Sequence, residues 1–218
     1  MAPLKRKNPW LQIFKFSLPL ILVFGTYHSI ATPQVFSLRE FVIKGVTHAG
    51  LILIACSLAL GPIAKFFDAF DTFLHYRKQL GIMGFYYVLL HGFLASLLYL
   101  WPDPAFFLRF ANSIILGLLS LYLLALCTEW SEVYVIRKVG SKVWRKMLRW
   151  MSYSAFVLGL AHIWFIEHQG WEELYFSDPS RFLPPLSLVT FFLGSLVVVG
   201  RLGVLVYDII QSQTKSPQ

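Results

Sequence analysis

Residues 80–101 read LGIMGFYYVLLHGFLASLLYLW, a run of 22 residues without an Asp, Glu, Lys or Arg. A helix of about 20 apolar residues is long enough to cross the hydrocarbon core of a bilayer. This stretch therefore predicts a membrane-spanning helix. Its one histidine, His91, is an exception to the apolar pattern.

Five other stretches have the same length and character. With residues 80–101 they give six predicted spans: 10–30, 46–66, 80–101, 110–129, 147–166 and 186–209. Short polar or Pro- and Gly-bearing segments separate them. The sequence therefore predicts an all-α integral membrane protein, a six-transmembrane-helix bundle that forms a single domain over residues 1–218.

Composition supports the same class. The chain is 57% hydrophobic and 14% charged, and its mean hydropathy is +0.63. Soluble domains average about 45–50% apolar and about 25% charged residues. We therefore exclude a soluble enzyme, a disordered chain and a nucleic-acid-binding domain, and expect no nucleic-acid partner despite the net charge of +8.

The basic residues predict the orientation. If the N-terminus is cytoplasmic, 14 of the 19 Lys and Arg residues lie on the cytoplasmic side and four on the outer side, while Arg201 lies within the last span. Lys and Arg concentrate in cytoplasmic segments of membrane proteins. We therefore expect both termini to be cytoplasmic.

Two histidines lie deep within predicted spans. A rise of 1.5 Å per residue puts His91 roughly 17 Å and His162 roughly 22 Å from the inner ends of their helices. Ionisable groups at such depth are costly and mark functional sites by default. Two neutral imidazoles can bind a haem iron axially; alternatively, each histidine hydrogen-bonds a neighbouring helix.

The surroundings of these histidines contain several short motifs, which cover about residues 40–170. These motifs are Arg77-Lys78 followed by Leu80-Gly81 and Leu90-His91, Gly61-Pro-Ile-Ala-Lys65, Arg137-Lys-Val-Gly140 followed by Trp144, and Leu160-Ala-His162-Ile-Trp164. Together they resemble the ferric reductase-like transmembrane domain family and, within it, the haem-binding membrane subunits of bacterial periplasmic methionine sulfoxide reductase systems.

The resemblance implies a haem b electron-transfer protein of the bacterial inner membrane, an oxidoreductase component with His91 and His162 as axial ligands of the haem iron. Two-haem members have a further histidine about four turns earlier on each helix. Here those positions hold Arg77 and Leu148. We therefore expect one haem, on the outer side.

Three further residues are candidate ligand contacts. Arg77 and Lys78 could bind a haem propionate, the phosphate of a flavin such as FMN, or a quinone head group, or they could be topology charges near lipid phosphate. His48 could contact a propionate or take part in quinone chemistry, or it could be an interfacial capping residue.

The sequence contains no GxGxxG motif, so we expect no built-in NAD or FAD domain. Electrons would then come from membrane quinol, a bound flavin or a separate cytoplasmic flavin reductase, and would pass to an outer-side redox partner. The rival hypothesis is a non-redox transporter or structural membrane protein with helix-bridging histidines.

Overall fold

The computed structural model describes residues 8–32, 37–177 and 182–214. These residues form helices and connecting turns, with no strand among them, which confirms the all-α prediction. The α-helices are α1 (Pro9–Ala31), α2 (Leu38–Phe66), α3 (Arg77–Ala95), α4 (Pro104–Arg109), α5 (Ala111–Trp130), α6 (Val133–Val139), α7 (Ser141–Trp171) and α8 (Leu186–Thr214). A 3₁₀ helix over Asp68–Tyr76 leads into α3, and π-helical turns over Ser96–Leu100 and Glu172–Phe176 extend α3 and α7.

Local sequence signals explain where several helices begin. The Asn8 side chain accepts a hydrogen bond from the Trp10 amide at 3.0 Å, and Ser37 accepts one from the Glu40 amide at 3.2 Å. Such caps satisfy amide groups that lack a partner within the helix. Gly140 has a φ of 82°, which favours glycine, and this residue separates α6 from α7.

The six long helices, α1, α2, α3, α5, α7 and α8, alternate in direction through the bundle. At one end, the beginning of α2 meets the end of α7 through an ion pair between Lys44 and Glu167. At the other end, the end of α2 meets the end of α8 through an ion pair between Lys65 and Asp208. We call these the Lys44 end and the Arg77 end, the latter because α3 begins there.

Five helical segments in the described part of the chain are long and apolar enough to cross a membrane: Pro9–Ala31, Leu38–Phe66, Asp68–Tyr99, Ala111–Trp130 and Leu186–Thr214. Large apolar side chains project outward from them, as lipid-facing residues would; Leu22 is 58% exposed and Leu196 is 65% exposed. The chain is thus an integral membrane protein by length and composition of its helices.

The predicted span over residues 147–166 lies within α7, which is not among these five. Serine, tyrosine, tryptophan and histidine residues dilute its apolar sequence, and basic residues occupy its first turns. Five of the six predicted spans are therefore confirmed as span candidates, and the sixth stays a prediction.

The predicted cytoplasmic location of both termini also stays a prediction. Part of the charge pattern on which it rests lies outside the described residues, namely Lys5, Arg6, Lys7, Arg181 and Lys215.

Helix α2 lies at the centre of the packing and contacts α1, α3, α7 and α8. Ala49 and Leu53 on this helix have no exposed surface. Where α2 crosses α3, a Cβ atom at Gly84 would lie only 2.8 Å from the carbonyl oxygen of Gly50. Small residues allow such close backbone approach, which is a main source of helix association in lipid.

Gly84→Ala should therefore weaken the crossing of α2 and α3. The added methyl group would meet backbone that cannot easily move, and overpacking of this kind costs about 1–3 kcal/mol. Thermal unfolding of the detergent-solubilised protein should show a lower midpoint. Gly203→Ala on α8 is the matched control, because nothing lies within 4 Å of its added Cβ; an equal loss of stability in both variants would contradict the packing.

Candidate functional site

His91 is held by the helix beside it. Its Nδ1 atom lies 2.6 Å from Oγ1 of Thr47 on α2. That hydroxyl donates its own hydrogen to the carbonyl oxygen of Ile43 at 2.6 Å. A hydroxyl has one hydrogen to donate, so Thr47 must accept from His91. The hydrogen therefore resides on Nδ1, and Nε2 carries a lone pair.

His162 is held in the same tautomer by a different helix. Its Nδ1 atom donates to the carbonyl oxygen of Ser113 on α5 at 2.8 Å, and a carbonyl can only accept. The Ser113 hydroxyl also lies 3.0 Å from Nδ1, and it donates to the His162 carbonyl at 2.9 Å. Nε2 of His162 therefore also carries a lone pair.

Small residues on α5 make room for this arrangement. A Cβ atom at Gly117 would lie 2.9 Å from Nδ1 of His162, so the imidazole packs directly against the helix. One turn further along, the Ser120 hydroxyl donates to the Ala155 carbonyl of α7 at 2.7 Å. Ser113, Gly117 and Ser120 thus form one face of α5 that contacts α7.

The two histidines share one chemical state. Both Nδ1 atoms are occupied as donors, and neither Nε2 atom has a hydrogen-bond partner among the described residues. A histidine that binds a metal typically donates its other ring N–H to an acceptor, which fixes the tautomer and the ring orientation. No cluster of three or more metal-ligating side chains occurs in the described parts of the chain; an axial pair of imidazoles needs two.

His48 lies next to Thr47 on α2 and is 3% exposed. Its Nδ1 atom donates to the Lys44 carbonyl at 2.7 Å. The side chain lines a cavity of about 190 Å³ at the Lys44 end, together with His28, Glu40, Lys44 and Glu167. His48, which the sequence predicts as a ligand contact, thus lies beside a polar cavity. It is next to Thr47, the residue of α2 whose hydroxyl bonds to His91 on α3.

An ion pair closes this end of the bundle. Nζ of Lys44 lies 2.6 Å from a carboxylate oxygen of Glu167, and their side chains are 27% and 26% exposed. The Ser187 hydroxyl donates to the other carboxylate oxygen at 3.3 Å and accepts from the Trp171 indole at 2.9 Å. The network joins α2, α7 and α8 and fixes the ends of the helices that carry Thr47 and His162.

Arg77 and Lys78 lie at the Arg77 end of the bundle, opposite the histidines, and their side chains have different neighbours. Arg77 lines a second cavity at the Arg77 end. Lys78 instead donates to the Ser131 carbonyl at 2.9 Å and lies 3.5 Å from the Glu132 carboxylate. The structure does not bring these two residues together with His91, His162 or His48.

Thr47, Ser113, Gly117 and the Lys44–Glu167 pair are site features that sequence reasoning missed. The spacing of small residues on α5 is the signal that could have found two of them, since Ser113, Gly117 and Ser120 recur at helical intervals within an otherwise apolar span. For Thr47 the signal is weaker, because a threonine within a helix most often bonds to its own backbone.

These features define a class: an integral membrane protein whose helical bundle holds two histidines, each with an Nε2 atom that has no hydrogen-bond partner among the described residues. The chain is similar to the protein-methionine-sulfoxide reductase heme-binding subunit MsrQ of Ralstonia nicotianae. The two are 26% identical over 158 residues, which cover 71% of this chain and 70% of the relative. No family model matches the chain.

Lys44→Met should destabilise the protein by about 1–3 kcal/mol, because it leaves the Glu167 carboxylate without its cation in a partly buried site. The double variant Lys44→Met/Glu167→Gln should recover most of the loss, since no unpaired charge remains. Thermal unfolding in detergent measures both. The exposed pair of Arg109 and Asp103 gives the control, in which Arg109→Gln costs about 1 kcal/mol or less. Additive losses in the double variant would show that the pair does not act as a unit.

Proposed function

We propose that this protein is a membrane haem b electron-transfer subunit that passes electrons from a quinol or flavin donor to an acceptor on the outer side of the membrane. His91 and His162 are the proposed axial ligands of one haem. The similarity to a heme-binding subunit and the state of the two histidines support the proposal independently.

The observation that carries the proposal is the pair of free Nε2 lone pairs. Helix bridging alone accounts for Nδ1 of each ring, because Thr47 and Ser113 bond there. It leaves the Nε2 atom of each ring without a partner among the described residues, and both side chains are partly exposed, so a ligand can reach them. A metal bound by both nitrogens would give each of them a partner.

The chain's own residues would bind and orient the cofactor. Thr47 and Ser113 keep the Nδ1 hydrogens in place and so present Nε2 in its ligating form. Haem supplies a one-electron carrier, whose potential the ligands and their hydrogen bonds tune.

We propose one haem because Arg77 and Leu148 occupy the positions where two-haem members of the resembled family have histidines. We also propose that the Arg77 end faces the cytoplasm, as the distribution of basic residues predicts. The histidines and the Lys44 cavity then lie toward the outer side of a bacterial inner membrane, where a redox partner would accept electrons.

His48 is proposed to act at the Lys44 cavity. Its Nε2 atom is an acceptor, because Nδ1 donates to the Lys44 carbonyl. An acceptor nitrogen beside Lys44 and Glu167 suits a contact with a quinol hydroxyl or, in its protonated form, with a haem propionate. Arg77 is proposed to contact an anionic group at the other end, whereas Lys78 has protein partners of its own.

A non-redox role with helix-bridging histidines remains the second candidate. The Thr47–His91 and Ser113–His162 hydrogen bonds favour it, because each joins two helices. It predicts a colourless protein in which His91 and His162 affect stability alone.

Purified wild-type protein should show a b-type spectrum in reduced-minus-oxidised difference spectroscopy. His91→Ala and His162→Ala should each abolish or strongly reduce it, because each removes one axial ligand. His75→Ala is the matched control, since His75 lies exposed on the 3₁₀ helix at the Arg77 end. A wild-type protein without haem after expression with ample haem supply, or unchanged spectra in both variants, would overturn the proposal.

Haem and protein quantified in the same purified sample should give a ratio near one. A ratio near two would contradict the single-haem proposal and would require a second pair of axial ligands that Arg77 and Leu148 do not provide.

Gly117→Ala should impair haem binding although it replaces neither of the proposed ligands. Its methyl group would displace the His162 ring, which lies 2.9 Å from the new Cβ position, and a weakened hydrogen bond to a ligating histidine typically costs 10–100-fold in metal affinity. Haem retention during purification measures the effect. Gly203→Ala, which meets open space, should retain haem as the wild type does; equal retention in Gly117→Ala would show that the close contact is unimportant.

A further inference from the structure

Three arginines from three different helices line the cavity at the Arg77 end. They are Arg77 at the beginning of α3, Arg149 on α7 and Arg201 on α8, and the cavity has a volume of about 410 Å³. Arg201 lies within a helix that is apolar enough to span a membrane, where a charged residue is costly and marks a function by default. Neither the histidine site nor the topology accounts for it.

The charges that line this cavity do not cancel. Lys65 and Asp208 are also lining residues, and they pair with each other. Asp71 is the one remaining carboxylate among the lining residues. None of the ion pairs found between described residues involves Arg77, Arg149 or Arg201. Three cations thus share one cavity with a single unpaired acid.

Neighbouring groups hold two of the arginines in place. The guanidinium of Arg77 lies against α2, where a Cβ atom at Gly61 would be 3.2 Å from Nη1. The guanidinium carbon of Arg201 lies 5.9 Å from the ring centroid of Tyr153, and the Tyr153 hydroxyl is fixed by a 2.9 Å hydrogen bond to the Leu58 carbonyl. Arg77 and Arg201 are partly buried, and Arg149 is exposed at the rim.

We propose that this cavity is a binding site for a phosphate group, formed by Arg77, Arg149 and Arg201. The planar fork of a guanidinium bonds two phosphate oxygens at once, and such charge-assisted bonds are the strong ones. A phosphate anion relieves the repulsion among the three cations. The volume lies in the range of small-molecule sites and accommodates a phosphate together with the beginning of the group that it esterifies. The phosphate belongs either to an anionic membrane lipid or to a soluble phosphate ester.

This site is independent of the haem proposal, because it lies at the opposite end of the bundle and shares none of the histidines. It goes beyond the sequence-based role of Arg77, since Arg149 and Arg201 were not predicted as ligand contacts and Lys78 does not line the cavity.

The test is a ligand titration of the full chain in detergent, followed by thermal unfolding. The lipid probes are phosphatidylglycerol and the zwitterionic phosphatidylcholine; the soluble probes are FMN and riboflavin, which lacks the phosphate. A larger stabilisation by phosphatidylglycerol than by phosphatidylcholine identifies a lipid as the source. Stabilisation by FMN but not by riboflavin identifies a soluble ester.

Variants then locate the site. Arg201→Gln and Arg149→Gln should each lower the affinity for the stabilising probe roughly tenfold or more, because each removes a charge-assisted contact. Arg145→Gln is the matched control: it makes the same charge change on α7 but does not line the cavity. Because Arg149 is exposed, its replacement remains informative even if Arg201→Gln fails to fold.

Two results would overturn the proposal. The first is the absence of stabilisation by phosphatidylglycerol and by FMN beyond that of their matched probes. The second is a loss of probe affinity in Arg145→Gln equal to that in Arg149→Gln and Arg201→Gln, which would indicate a diffuse basic surface rather than a defined site.

Discussion

The proposed function depends on two hydrogen bonds, each of which keeps the hydrogen of one imidazole on its Nδ1 atom. In an apolar bundle, an imidazole hydrogen must find an acceptor, and the acceptor that it finds determines which nitrogen stays free. Thr47 and the Ser113 carbonyl take the Nδ1 hydrogens of His91 and His162. The same two residues therefore determine the tautomer and the ring orientation, and leave a lone pair on each Nε2 atom.

The rest of the bundle maintains that arrangement. Helix α2 supplies Thr47 and packs so closely on α3 that Gly50 and Gly84 approach through backbone atoms. Helix α5 supplies Ser113 and contacts α7 through a face of small residues. The Lys44–Glu167 pair then joins α2 to α7 beyond the histidines. Close packing and one polar network thus hold a site whose chemistry resides in two side chains.

Five apolar spans and the all-α class could be predicted from sequence, because hydrophobic length is a local signal. The sixth span could not be confirmed in the same way, since α7 combines spanning length with many polar residues. The partners of the histidines were unpredictable, because which hydroxyl meets which ring depends on the rotation of each helix about its axis. The cavity of Arg77, Arg149 and Arg201 was hidden for the same reason: its three cations lie far apart in sequence and meet through packing of α3, α7 and α8.

The central claim is that both imidazoles bind the same iron, and electron paramagnetic resonance of the oxidised, purified protein tests it most directly. Two axial imidazoles impose a strong ligand field, so the account predicts a low-spin ferric haem signal. When either His91 or His162 is replaced by alanine, this signal should be lost, and any haem that stays bound should give a high-spin signal. A predominantly high-spin wild-type signal, or a low-spin signal that survives both replacements, would show that these histidines are not the axial pair.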